Sequence, residues 1–195
     1  MKQKKIWITL AASALIITGC SSGHENDKSK DNKAEQTANQ RNKVAYPKDG
    51  VKGIYVTSNS TQGDKIDQLI KYVKDAKLNA MVIDVKDDEG NVTMKFNTGN
   101  KLIDKNTMDI ADAKPLLKKL KDNDIYPIAR IVTFKDTKLA KEHPEWSYKE
   151  KDGSVWQNGK GDSFVNPFVK DVWKYNVSIS KEAAKAGFQD IQYDY

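Results

Sequence analysis

The stretch Ala80-Met81-Val82-Ile83-Asp84-Val85, running into Lys86-Asp87-Asp88-Glu89-Gly90, decides how the rest of the chain is read. A nearly continuous apolar run of this length suits a strand buried on both faces, and such strands belong to parallel sheets covered by helices. Three further short runs behave alike: Gly53-Ile54-Tyr55-Val56-Thr57, Tyr126-Pro127-Ile128-Ala129-Arg130-Ile131-Val132, and Asp190-Ile191-Gln192-Tyr193-Asp194-Tyr195. Helical periodicity fills the gaps between them. One helix is expected from about Asp64, with Ile66, Leu69, Ile70 and Val73 on one face. Another opens at Asp112 with Pro115 in its first turn and turns Ala113, Leu116, Leu117 and Leu120 inward. A third runs from about Val169 to Ala186, with Val172, Trp173, Val177 and Ala184 on the expected buried stripe and Gly187 as its stop. The in-phase residues Val92, Met94 and Phe96 suggest a hairpin arm. Strand and helix in alternation predict an α/β fold of βαβ units around a parallel sheet.

The connections are unequal. Helix-to-strand links are short, at 78–79, 122–124 and 187–189, whereas strand-to-helix links are long, at 58–63, 86–112 and 134–167. In parallel α/β folds the functional face lies at the carboxyl ends of the strands, where those long loops gather. Asp84 ends the second strand, Arg130 lies in the third and Asp194 ends the fourth. A carboxylate at the tip of a buried strand is costly without a partner or a task. Asp84, Arg130 and Asp194 are therefore candidates to surround a polar substrate, with Lys86 and Asp87 beside them. The competing reading of Asp87-Asp88-Glu89 is a solvated turn before Gly90, and that reading is preferred for Asp88 and Glu89.

The long loop after the third strand holds His143-Pro144-Glu145-Trp146 and, further on, Trp156. Indole faces in a polar, Gly-rich loop suit sugar rings, whose C–H faces pack on aromatic surfaces; equally, both tryptophans could pin the loop to the sheet. His143 has no histidine partner in the folded region, so no metal is expected, and no motif calls for a cofactor. Residues 153–163 miss the P-loop pattern because Asn158 stands where its second glycine belongs. Val85 occupies the first ligand position of what would otherwise resemble an EF-hand loop. No Gly-x-Ser-x-Gly elbow is present, so acyl hydrolysis has no nucleophile signature.

The N-terminus reads as a targeting segment. Lys2, Lys4 and Lys5 precede a short apolar run from Ile6 to Ile17, which leads into Ile17-Thr18-Gly19-Cys20-Ser21-Ser22. A basic region, a short apolar region and small residues before a cysteine resemble a bacterial lipobox, with residues 1–19 as signal peptide and Cys20 as the lipidated residue of a protein held on the outer face of the membrane. Residues 20–49 are expected to form a disordered tether, because their polar composition cannot bury enough surface to offset chain entropy. The folded region is then 50–195. Across all 195 residues there are 33 basic and 27 acidic side chains and one cysteine. The lone cysteine excludes an intramolecular disulfide framework. At 38% hydrophobic and 31% charged, the chain is neither a polytopic membrane protein nor wholly disordered. Three of the basic residues fall in the signal segment, so the net charge of +6 drops to +3 after it, and nucleic acid is not an expected partner.

Four blocks carry a resemblance. Val51-Lys52-Gly53-Ile54-Tyr55-Val56, Val82-Ile83-Asp84-Val85-Lys86-Asp87, His143-Pro144-Glu145-Trp146 and Gly187-Phe188-Gln189-Asp190-Ile191-Gln192-Tyr193-Asp194-Tyr195 resemble a family of bacterial glycoside-hydrolase-like proteins. Their catalytic domain is a (β/α)8 TIM barrel similar to the α-amylase and α-galactosidase clans. The resemblance implies that residues 50–195 form the first four βα units of such a barrel. It implies that Asp194 stands where related barrels place the catalytic nucleophile, and that Asp84 binds substrate; Lys86, Asp87, Arg130, Trp146 and Trp156 join Asp84 as expected substrate contacts from their places at the strand ends and in the long loop. A glycan in a cell wall or extracellular matrix is the implied substrate, and a glycan-binding protein without turnover is the alternative. A complete small α/β binding domain is a third reading. In the family the last block continues into Val-Arg-Phe-Pro, so the sequence is expected to be part of a longer protein. The acid/base carboxyl would then come from a later strand, and the chain as given is expected to be inactive.

Overall fold

The structure, a computed structural model, describes residues 43–96 and 98–195. The expected signal peptide, Cys20 and the tether up to residue 42 lie outside the described residues.

Four parallel strands form the frame: β1 (Gly53–Val56), β2 (Ala80–Lys86), β5 (Tyr126–Val132) and β6 (Asp190–Asp194), adjacent in that order. The register sets Tyr55 beside Val82, Asp84 beside Arg130, and Val132 beside Asp194. Each crossover carries one long helix: α1 (Gly63–Asp75), α3 (Ala113–Asp122) and α5 (Lys170–Ala186). This is the order of consecutive strands in a (β/α)8 barrel, and four of its strands with the three crossover helices between them are present.

Alternation along the strands separates two faces. Met81, Ile83, Val85, Ala129 and Ile131 are fully buried under the helices, in one cluster with Ile66, Val73, Leu117, Leu120 and Ile179. Apart from Ala129, each such side chain contributes about 1.5–3 kcal/mol when removed from water. The opposite face carries Tyr55, Val82, Asp84, Ile128, Arg130 and Gln192. Its amino-terminal end is covered by the lead-in segment: Val44 packs on Ala80, Tyr126 and Ile128, and the Tyr46 ring meets Tyr126 edge-on at 5.6 Å between centroids. Among the described residues, packing against the sheet thus includes Val44, ahead of Gly50.

The long loop 86–112 holds more structure than its composition suggested. β3 (Val92–Met94) returns antiparallel to β2, pairing Val92 with Lys86, as the alternating residues indicated. After it come α2 (Lys101–Asn106), capped by the Asn100 side chain, and β4 (Thr107–Ala111), parallel to β3. Asp112 caps α3 as expected, its Oδ1 accepting from the Lys114 N–H at 3.1 Å. The loop after β5 contains α4 (Thr137–Glu142), whose N-cap is Asp136.

One expectation fails. On α5 the buried positions are Val172, Tyr175, Asn176, Ile179, Ser180 and Ala183, an unbroken i, i+3, i+4 series. Trp173, Val177 and Ala184 face outward instead, with Trp173 donating its indole N–H to the Pro167 carbonyl. The expected stripe was drawn through the most apolar residues. The real one admits Tyr175, Asn176 and Ser180 because each finds a hydrogen-bond partner: Asn106, the Thr133 carbonyl, and Tyr193 with the Asn176 carbonyl, respectively.

Candidate active site at the strand ends

Asp84, Arg130 and Asp194 come together at the carboxyl ends of β2, β5 and β6. Arg130 sits between the carboxylates, giving Nη1 to Asp84 Oδ1 at 2.7 Å and Nε to Asp194 Oδ2 at 2.8 Å. The planar guanidinium can hold two acids on different strands because its donors point in fixed, separate directions, which an ammonium cannot imitate. Asp84 Oδ2 accepts the hydroxyl hydrogen of Tyr55 from the end of β1. The guanidinium carbon lies 5.3 Å from the centre of the Tyr55 ring, over its face. Asp194 Oδ1 accepts from the Tyr195 backbone N–H at 2.9 Å. All four barrel strands thus contribute to one hydrogen-bonded circuit.

Tyr55 was not among the expected site residues. The available signal was register: it occupies the same inward phase on β1 that Asp84 occupies on β2, yet a tyrosine in an apolar run reads as packing. Burial first, and then its hydrogen bond to Asp84, push the Tyr55 hydroxyl up to about 12. Its raised value favours the folded state fully below the ordinary value near 10, and that contribution is lost as pH rises through about 12. An alkaline absorbance titration should show one tyrosine ionising near pH 12 that Tyr55→Phe removes. An unchanged titration curve would mean that the Tyr55 hydroxyl does not hold this bond. Burial alone would lower Arg130, but its bonds to Asp84 and Asp194 outweigh that and hold it above its ordinary value.

A second group lies beside the first. Lys135 gives Nζ to Asp88 Oδ2 at 2.9 Å and lies 3.3 Å from Asp162 Oδ2, with its charge 5.6 Å above the Tyr195 ring. The hydrogen bond from Lys135 holds Asp88 below the usual carboxylate range, and its bond to Asp88 raises Lys135 in turn. Asp162 is lowered chiefly by the Asn158 amide, then by Lys135. Asp88, expected as a solvated turn residue, therefore has a specific partner across the loops.

The remaining expected residues are placed differently. Lys86 is fully buried, so its assignment to substrate contact is corrected. Its ammonium lies 2.8 Å from Asp136 Oδ2, donates to the Val132 carbonyl at 2.5 Å, and sits 5.9 Å from the Tyr175 ring centre. A lysine at the tip of a strand looks solvent-facing in sequence; the irregularity in the β2–β5 register between Asp84 and Lys86 turns it under the loop instead. Asp87 is engaged in its own turn: Oδ1 accepts from the Glu89 and Asn91 N–H groups and Oδ2 from the Asn91 amide. Trp146 is partly buried against the core and stacks on His143 at 3.7 Å, and Trp156 meets Phe164 edge-on at 6.1 Å. Both indoles therefore have packing partners within their loop. A groove of about 630 Å³ between the start of α1 and the β4–α3 corner shares no residue with the strand-end site.

The sequence from 53 to 195 matches the family described as "Putative glycosyl hydrolase domain". A crystal structure of a hypothetical protein from Ruminiclostridium thermocellum is 31% identical, with TM-score 0.69, over 73% of this chain and 75% of that one. A maltogenic α-amylase from Thermotoga neapolitana (16% identity, TM-score 0.50) is matched over 74% of this chain and 39% of its own. An α-galactosidase from Geobacillus stearothermophilus (15% identity, TM-score 0.52) is matched over 74% of this chain and 21% of its own. At such identities the last two likenesses are likenesses of fold, and this chain spans well under half of either enzyme. No curated protein matches the chain. The four-strand frame is thus part of a TIM barrel, and the chain belongs to the family of glycosyl-hydrolase-like domains that its residues 53–195 match.

Proposed function

We propose that this domain acts on a glycan at the carboxyl ends of its strands, with Asp194 as the carboxylate that attacks the anomeric carbon. One observation carries the reading: Asp194, at the end of the fourth barrel strand, is fixed by Arg130 and remains partly exposed, at 39% of its side-chain surface. A retaining glycosidase needs such a carboxylate and a second carboxyl about 5–5.5 Å from it to protonate the leaving oxygen. Asp84 does not suit that second role, because Arg130 and Tyr55 occupy its two oxygens. It suits holding Arg130, and through it Asp194, in place. Incubation with a 2-deoxy-2-fluoro glycosyl fluoride should leave one covalently bound sugar on Asp194, visible by peptide mass, and Asp194→Asn should abolish it. Labelling of another residue would refute the assignment.

A specific feature also supports binding without turnover: both oxygens of Asp194 already accept hydrogen bonds, from Arg130 and from the Tyr195 backbone. Under that reading glycans bind and no label forms.

The anchoring part of the reading rests on the basic, apolar and small-residue order ahead of Cys20. The cysteine would carry the lipid, and the domain would work on a cell-wall or extracellular glycan from the outer membrane face, with no nucleic-acid partner. Cys20→Ser should shift the protein from the membrane pellet to the soluble fraction of the producing cells. Retention in the pellet would overturn the anchor.

A further inference from the structure

Tyr55 stands on β1, three strands from Asp194 on β6, yet it holds the residue that fixes Asp194. Its hydroxyl donates to Asp84 Oδ2, and the Arg130 guanidinium carbon lies over its ring, 5.3 Å from the centre. Arg130 in turn gives Nη1 to Asp84 Oδ1 and Nε to Asp194 Oδ2. Tyr55 thus meets Arg130 twice, directly through its ring and indirectly through the carboxylate that it fixes. The other oxygen of Asp194 is held by the adjoining Tyr195 N–H, so Arg130 decides the angle at which the carboxylate stands.

The register makes this reach possible. Tyr55 is level with Val82, two residues short of Asp84 on the same face of β2, so the hydroxyl at the end of the long ring meets the carboxylate one step nearer the strand ends. Arg130 is level with Asp84 and with Gln192, and Asp194 is again one step further on. The contacts climb the stagger of the strands and cross the three gaps between β1 and β6, roughly 14 Å at the ordinary strand spacing. Each link is stiff, because a phenol ring has two torsions and the guanidinium donors are fixed in one plane. A shift at Tyr55 therefore turns Arg130 and moves Asp194, since no flexible side chain in the series absorbs it.

We propose that Tyr55 is a positioning residue for Asp194, acting through Asp84 and Arg130 from the far side of the four-strand frame. The inference rests on the proposed attack by Asp194 and names the residue that sets its angle. The hydroxyl and the ring make separable contributions. Tyr55→Phe keeps the ring beside Arg130 and removes the bond to Asp84, whereas Tyr55→Leu removes both. Tyr55 is 55% exposed, so neither change opens the core.

Two measurements on the full chain test this. The chain has two arginines, Arg41 and Arg130, so isotope labelling of arginine isolates the Arg130 Nε–H resonance, which is identified by its loss in Arg130→Lys. Exchange of that hydrogen with water should quicken several-fold in Tyr55→Phe and further in Tyr55→Leu, with Arg41 unchanged. With 2-deoxy-2-fluoroglucosyl fluoride, the maximal rate of labelling at Asp194 should fall about tenfold in Tyr55→Phe and about a hundredfold in Tyr55→Leu, while the half-saturating concentration stays within about twofold of the parent's. A residue that merely stabilised β1 would not produce this graded loss in the maximal rate alone. Unchanged Arg130 exchange in both variants, or unchanged maximal labelling rates, overturns the inference. If the parent takes no label, the attack by Asp194 falls, and Arg130 exchange alone decides whether Tyr55 holds the circuit.

Discussion

Lys86→Ala should destabilise the domain by about 3–5 kcal/mol, the range for removing one partner of a fully buried ion pair. The side chains of Lys86 and Asp136 are both wholly excluded from solvent. Truncation would leave the Asp136 carboxylate without its countercharge and the Val132 carbonyl without its donor. It would also open a cavity beneath the Tyr175 ring. The effect should spread, because Asp136 holds two loops together. Its Oδ1 caps α4 by accepting from the Leu139 N–H at 2.8 Å, and its backbone N–H bonds the Ser163 carbonyl. Gly90 of the β2 loop lies so close that a Cβ there would stand 2.0 Å from Asp136 Oδ1, and its φ of +97 suits glycine alone. Chemical denaturation of Lys86→Ala beside the parent checks the figure. The double change Lys86→Met/Asp136→Asn should recover much of the loss, since it removes both charges while keeping a cap acceptor and filling the space. A single-variant loss below about 1 kcal/mol would show that the pair contributes little.

Arg130→Ala should cost about 2–4 kcal/mol, somewhat less than Lys86→Ala because Asp194 retains contact with water. The reason is different in kind. Arg130 keeps two carboxylates on flanking strands from facing one another unscreened, and without it Asp84, with 6% of its side chain exposed, has only the Tyr55 hydroxyl. Arg130→Lys should fall between, since an ammonium keeps the charge but not two directed bonds to separate acids. Urea unfolding of the three proteins gives the comparison. An equal deficit in Arg130→Lys and Arg130→Ala would mean that lost packing, rather than the unpaired acids, explains the change. Glycan binding should be abolished in Arg130→Ala, because Asp194 loses the group that orients it.

The residues that the sequence analysis placed at the site divide along one line. Asp84, Arg130 and Asp194 were legible because each is a charged residue interrupting an apolar strand, and burial of a charge demands a partner. The structure supplies that partner from the neighbouring strand in each case. Tyr55 was not legible, since an aromatic in a strand is satisfied by packing alone, and only register reveals its hydroxyl against Asp84. Lys135, Asp162 and Asp88 come from separate loops, and no spacing in the sequence announces that one ammonium joins them.

The sequence by itself determined the strand–helix order, the three crossover helices, the cap at Asp112, the end of α5 at Gly187 and the face on which the long loops gather. These follow from periodicity and from local hydrogen bonding, which act over a few residues. Tertiary structure alone decided that Lys86 turns inward to Asp136 and that α5 buries Tyr175, Asn176 and Ser180 rather than Trp173 and Val177. Each of those outcomes depends on whether a polar group finds a partner, and the partner stands on another element: 50 residues away for Lys86 and Asp136, 69 for Asn106 and Tyr175. Local sequence states which groups need a partner, and only the folded chain brings the partner to them.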